Sequence, residues 1–246
     1  MDSGKSRPHT FPTTQWTLVE RAAAADPEER AQALQQICTL YWPPVYAYIR
    51  ARGKAPHDAE DLTQDFFAEL LQRNDFAKTD AGIGRLRSYL LTSVKNHLVS
   101  AHRRDSRLKR GGGADMLSID AASAESRCLI PEPVDDLTSD RVYERQWAIT
   151  LMEGVVAALE KKYAEKGRAA LFHALKPFIS ASASASSQPG EGPAARQLGM
   201  SDTAFRVATH RLRQRYAGLL RQTVRATLGR GADEEAEIRH LMTVFQ

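Results

Sequence analysis

Three carboxylates, Asp58, Asp61 and Asp65, stand three and four residues apart in "HDAEDLTQDFFAELL", residues 57–71. On a helix that spacing gathers them on one face, with Gln64, Glu69 and Gln72 continuing the same side. Such a face can dock a positively charged protein, hold a divalent metal for nucleic-acid cleavage, or simply be solvated. Metal chemistry prefers ligands converging from several segments. No second carboxylate cluster and no nucleophile constellation accompanies these three. A protein partner therefore ranks first, a solvated face second and metal last. No catalytic residue, metal site or cofactor is assigned. The two cysteines, Cys38 and Cys128, have no CxxC or Cys/His spacing, and the seven histidines are scattered.

The cations are segregated from these acids. Arg85, Arg87, Lys95, Arg103, Arg104, Arg107, Lys109 and Arg110 fall in one block with a single acid, Asp105. Arg206, Arg211, Arg213, Arg215, Arg221, Arg225 and Arg230 fall in another with none. Two basic blocks on periodic helices suit a polyanion on two surfaces, against the alternative of two solvated helix faces. In the second block, Arg206, His210 and Arg213 share a face with Thr203 and Val207; arginines so placed hold phosphates or read guanine edges in a major groove. In the first, Ser88, Tyr89, Thr92, Lys95, Asn96, Val99 and Arg103 form a face of one aromatic, amides, hydroxyls and cations. That mixture suits single-stranded or melted DNA.

The elements that must carry these residues are helices. The apolar periodicity is 3.6 nearly throughout, so the fold class is all-α. From Pro27, the residues Leu34, Ile37, Cys38 and Tyr41 share a face. Pro43-Pro44 predicts a kink or restart before Val45, Tyr48 and Ile49 continue to Gly53. The acidic helix opens at Pro56 and buries Leu62, Phe66, Phe67 and Leu70. A further helix from about Gly84 to Arg104 buries Leu86, Leu90, Val94, His97, Leu98 and Ala101. A Gly-, Ser- and Pro-rich stretch from Gly111 to about Thr138 reads as a linker. Beyond it, Trp147, Leu151, Val155 and Leu159 mark a long helix, and Leu171, Phe172, Leu175 and Phe178 a shorter one. In "GPAARQLGMSDTAFRVATHRLRQRY", Ala195 is small, Gly199 suits a left-handed turn and Ser201 suits a cap, which is a helix-turn-helix arrangement. The bulk numbers agree with a globular protein: 246 residues, 42% hydrophobic, 26% charged, net charge +4. No apolar run approaches the roughly 18 residues of a membrane span, and no signal-peptide core opens the chain, so a cytoplasmic location is expected.

"DAEDLTQDFFAELL" resembles region 2.2 of bacterial sigma-70-type RNA polymerase sigma factors. "GRLRSYLLTSVKNHLVSAHRR" resembles regions 2.3 and 2.4, and "ARQLGMSDTAFRVATHRLRQRY" resembles region 4.2. Two modules and a linker are similar to the extracytoplasmic-function (ECF) group, and "TFPTTQWTLV" and "YWPPVYAYIRARG" to its planctomycete-type subgroup. The resemblance implies two helical domains joined by a flexible linker. A sigma region 2 bundle would span residues 27–108, the linker 109–139, and a region 4 helix-turn-helix domain 140–230. An N-terminal extension (1–26), a low-complexity insertion (180–192) and an amphipathic tail (231–246) complete the division. The resemblance further implies that Asp61, Gln64 and Asp65 dock on the β′ clamp coiled coil of core RNA polymerase. Tyr89, Thr92, Lys95, Asn96, Val99 and Arg103 would melt and read the −10 element. Thr203, Arg206, Val207, His210, Arg211 and Arg213 would read duplex DNA at the −35 element. The partners are thus polymerase core and promoter DNA, duplex and melted, with an anti-sigma factor as a further partner the family allows. The alternative is an autonomous helix-turn-helix regulator. The tail, with Ile238, Leu241, Met242 and Phe245 as an apolar stripe, is expected to fold back on the sigma modules and restrain them.

Overall fold

The computed structural model describes residues 21–22, 26–72, 85–107, 138–179, 191–228 and 233–245. Among the described residues the secondary structure is helical and no strand occurs. The elements are α1 (Pro27–Ala51), α2 (Pro56–Gln72), α3 (Leu86–Arg107), α4 (Ser139–Ala164), α5 (Ala169–Leu175) with a 3-10 turn (Lys176–Phe178), α6 (Glu191–Gln197), α7 (Asp202–Ala226) and α8 (Glu234–Thr243). None is long and apolar enough to cross a membrane. The chain forms two compact units, residues 1–150 with 224–246, and residues 151–223. Most of the N-terminal extension, most of the linker and most of the Ser/Ala insertion lie outside the described residues.

The first unit is built around α1. Asp26 caps it, its carboxylate accepting from the Glu28 amide at 3.1 Å, and Pro27 occupies the first turn, where a missing donor costs nothing. Of the expected kink or restart at Pro43-Pro44, the restart does not occur: one helix runs through both prolines. The reason is burial: Tyr41, Trp42 and Pro44 to Ile49 are all buried. Packing all round this half of the helix outweighs the two donors the prolines remove. Gly53, at φ +81°, reverses the chain into α2. Phe66, Phe67 and Leu70 of α2 and Leu86, Leu90 and Val94 of α3 are buried in the same unit. The first turns of α4 join it through Val142, Tyr143, Trp147 and Ala148. Tyr143 is fully buried, donates to the Arg87 carbonyl at 3.0 Å and meets Tyr48 edge to face.

The C-terminal helix α8 also belongs to this unit, and a charge anchors it. Asp233 caps it through the amides of Glu235 and Ala236. Glu237 is completely buried, with Arg85 Nε 2.9 Å from one oxygen and Arg87 Nη1 paired with the other. Arg87 Nε lies 2.7 Å from Glu144 Oε2, which also meets His240 Nε2 at 3.1 Å. The Arg87 guanidinium sits 4.5 Å above the Trp147 ring. The tail does fold back within the first unit, but its expected apolar stripe is divided. Leu241 is buried, whereas Met242 is 66% exposed and Phe245 41%. A carboxylate, not the stripe, supplies the centre of the contact.

The second unit has its own core. Val155, Leu159 and Tyr163 from α4 pack with Phe172, Leu175, Phe178, Ala195, Phe205, Leu212 and Leu219. Ala195 is fully buried, so a larger side chain there would have no room. Gly199 turns the chain between α6 and α7 at φ +64°, and the Ser201 hydroxyl accepts from the Ala204 amide at 3.2 Å at the start of α7.

Candidate nucleic-acid interface

The acidic face of α2 divides in two. Asp61 and Asp65 are exposed, and Asp61 pairs with His57 one turn earlier at 3.1 Å. Gln64 is half-buried, its amide 3.3 Å from Glu60. Glu69 departs from the expected outward face: its carboxylate turns in and meets His97 Nδ1 of α3 at 2.6 Å. His97 is buried and also meets Phe66 edge to face. Among the described residues no group of three His, Cys, Asp or Glu side chains is placed to hold a metal ion.

The six residues expected to read the −10 element sit on one outward sector of α3 but on two flanks of it. Tyr89 and Asn96 line a recess against α2, together with Ser93, His97 and Glu69. Lys95, Val99 and Arg103 line a different groove, against the α1–α2 turn. Thr92 lies exposed, its hydroxyl donating to the Ser88 carbonyl at 3.0 Å. Val99 is 51% exposed, an unusual position for a branched apolar residue on a helix so rich in cations. Lys95 is not free: its ammonium lies 2.6 Å from Asp140 in the first turn of α4. Arg85 and Arg87, counted in the basic block as part of a surface, are instead drawn to Glu237 and Glu144.

On α7, Thr203, Arg206, Val207, His210 and Arg211 are exposed along one side. Val207 is 45% exposed, the counterpart of Val99. Arg213 departs from the expected outward cation. Its Nε donates to the Phe178 carbonyl at 2.8 Å and its Nη2 is buried, so it ties α7 to the end of the 3-10 turn. That carbonyl lies at a helix end without an intrahelical partner, and a guanidinium is the donor that satisfies it. Arg215 is similarly engaged, donating to the Tyr163 hydroxyl at 3.1 Å with its guanidinium over the Tyr163 ring.

Sequence reasoning passed over Arg52, Lys54, Asp140, Glu144 and Glu237. Arg50, Arg52 and Lys54 around Gly53 are a dense enough cationic run to have marked the first two. Nothing local marks the acids, because their partners are remote in sequence.

Residues 38–108 match the Sigma-70 region 2 family, a segment that runs from within α1 through α2 and α3. No curated protein and no solved structure matches the chain. The match makes this segment, and not the remainder of the chain, similar to region 2 of sigma-70-type sigma factors.

Proposed function

We propose that this protein is a two-module, ECF-group sigma factor that binds core polymerase in the cytoplasm and directs initiation at promoters read through −35 and −10 elements. The carrying observation is the region 2 match over α2 and α3. Those helices present opposite charges in one compact unit: exposed Asp61 and Asp65 on α2, and Lys95 and Arg103 on α3. A carboxylate face repels DNA and attracts a basic protein surface, so the β′ clamp coiled coil is assigned to Asp61, Gln64 and Asp65. Melted −10 DNA is assigned to α3, with Tyr89 and Asn96 on one flank and Lys95, Val99 and Arg103 on the other. Duplex −35 DNA is assigned to the helix-turn-helix of α6 and α7, through Thr203, Arg206, Val207, His210 and Arg211. Arg213 supports that helix from behind through Phe178.

Run-off transcription with purified core polymerase on a promoter library tests the reading. Transcripts sharing an upstream motif are expected only when the protein is present. The Asp61→Ala, Asp65→Ala double variant should bind core polymerase about ten-fold or more weakly. It should fold normally, since exposed pairs such as His57–Asp61 contribute little. Retained duplex binding with no polymerase binding by the unaltered chain would instead identify an autonomous regulator.

A further inference from the structure

We propose that the groove between the α1–α2 turn and α3 is a nucleic-acid backbone subsite, with Arg52 and Lys54 as phosphate contacts, and that the Asp140 carboxylate holds a phosphate position in it until nucleic acid enters. The proposal rests on the promoter-binding reading for the identity of the polyanion.

One wall of the groove carries Arg52 and Lys54, and the other Lys95 and Arg103. Leu62, Leu98 and the exposed Val99 supply apolar surface among them. Asp140 is the single acid among the lining residues. Cations on both walls with apolar surface between them fit an extended backbone with its sugars and bases, more than a point-like anion. The turn that bears Arg52 and Lys54 is held in place: Gly53 takes a left-handed conformation and Arg50 Nη1 donates to the Lys54 carbonyl at 2.5 Å. The first wall is therefore presented by a fixed backbone, which lowers the ordering cost of binding.

Asp140 meets Lys95 as a phosphate oxygen would, an anionic acceptor 2.6 Å from the ammonium. Both side chains keep about half their exposure, 42% for Lys95 and 50% for Asp140. A pair so open to water is weak and readily exchanged. Asp140 also lies in the first turn of α4, where the positive helix end stabilises a carboxylate without Lys95. Lys95 can thus pass to a phosphate without stranding a charge. The groove discriminates against short or weakly charged anions, because only a polyanion recovers the Asp140 contact and gains Arg52 and Lys54 as well.

The test uses the full chain and a labelled single-stranded DNA of mixed sequence, with anisotropy read over a salt series. The Arg52→Ala, Lys54→Ala variant should flatten the slope of log affinity against log salt by about 1.4, at ~0.7 per phosphate contact on single strands. Asp140→Asn should tighten binding roughly two- to five-fold, the range of an exposed ion pair. Glu235→Gln, an equal charge change on exposed α8 surface, should have less effect. An unchanged slope in the double variant, or an Asp140→Asn effect no larger than that of Glu235→Gln, overturns the proposal. Displacement of the DNA by poly-glutamate more readily than by unlabelled poly-dT also overturns it, in favour of an acidic protein segment. Core-polymerase binding is measured on the same samples. If the unaltered chain fails to bind polymerase while the salt slope shifts as expected, the sigma-factor reading falls and the subsite stands.

Discussion

Glu237 shows how much one side chain can determine. It is fully buried, and two arginines from the start of α3 neutralise it. Burial lowers the Arg87 pKa from its ordinary value while Glu144 raises it, so the guanidinium depends on its acids for its place in the interior. Removing one member of a buried pair strands the other. Glu237→Gln keeps the shape and deletes the charge, and should destabilise the first unit by about 3 kcal/mol. Glu144 remains as a partner for Arg87, which holds the loss to the lower end of what such pairs show. Urea unfolding followed by tryptophan fluorescence checks this, because Trp42 and Trp147 both lie in that unit. Tyr143 gives a pH signature. Burial raises its phenol well above the usual value, and the neighbouring Tyr41 is raised by burial as well. The folded pKa values exceed the unfolded ones, so the neutral phenols contribute stability that is complete below about pH 10 and is lost as pH rises toward the folded values. Tyrosinate absorbance and loss of tryptophan fluorescence should therefore appear together above about pH 10. Ionisation of these tyrosines well before unfolding would contradict their burial.

At the scale of elements, the turn between α6 and α7 isolates one cost cleanly. A Cβ added at Gly199 would meet nothing within 4 Å, so Gly199→Ala is penalised by its φ of +64° alone. The expected loss is about 1–2 kcal/mol, with Gly199→Asn losing less because asparagine tolerates the left-handed region. Differential scanning calorimetry of the two variants measures both. The same turn explains what could be read directly from the chain. Ala195, Gly199 and Ser201 are local signals, each tied to one backbone or packing need, and the structure uses them as the spacing predicts. The 3.6 periodicity likewise located α2, α3 and α7 to within a few residues. What escaped was decided by tertiary partners. Pro43-Pro44 reads as a kink or restart because helix rules see two missing donors, while burial around Tyr41 to Ile49 lets α1 continue without a restart. Glu69 and Arg213 read as outward because periodicity places side chains on a face. His97 and the Phe178 carbonyl then draw them inward. Six −10 candidates read as one face because they share a sector of α3, and only the neighbours on either side divide them.

At the scale of the molecule, three segments distant in the chain meet in the first unit: the start of α3, the first turns of α4, and α8. Arg87, at the start of α3, touches the other two, α4 through Glu144 and the Trp147 ring and α8 through Glu237. The tail is thereby coupled to α4, and α4 carries Asp140, which engages Lys95 on α3. Removing residues 232–246 takes away Glu237 and the His240 contact to Glu144, but not the hydrogen bond from Tyr143 to the Arg87 carbonyl. The first turns of α4 should then open more often without the unit unfolding, since local opening follows the loss of local contacts. Amide exchange within residues 139–150 is expected to quicken several-fold, while that of α1 changes little. Single-stranded DNA binding should tighten in the same truncated chain, because each opening withdraws Asp140 from Lys95. Adding Asp140→Asn to the truncation should then yield less than the sum of the two separate gains, as both act on one contact. Faster exchange without tighter binding would restrict the tail to a stabilising role. Tighter binding with full additivity would place its effect elsewhere than the Lys95–Asp140 pair.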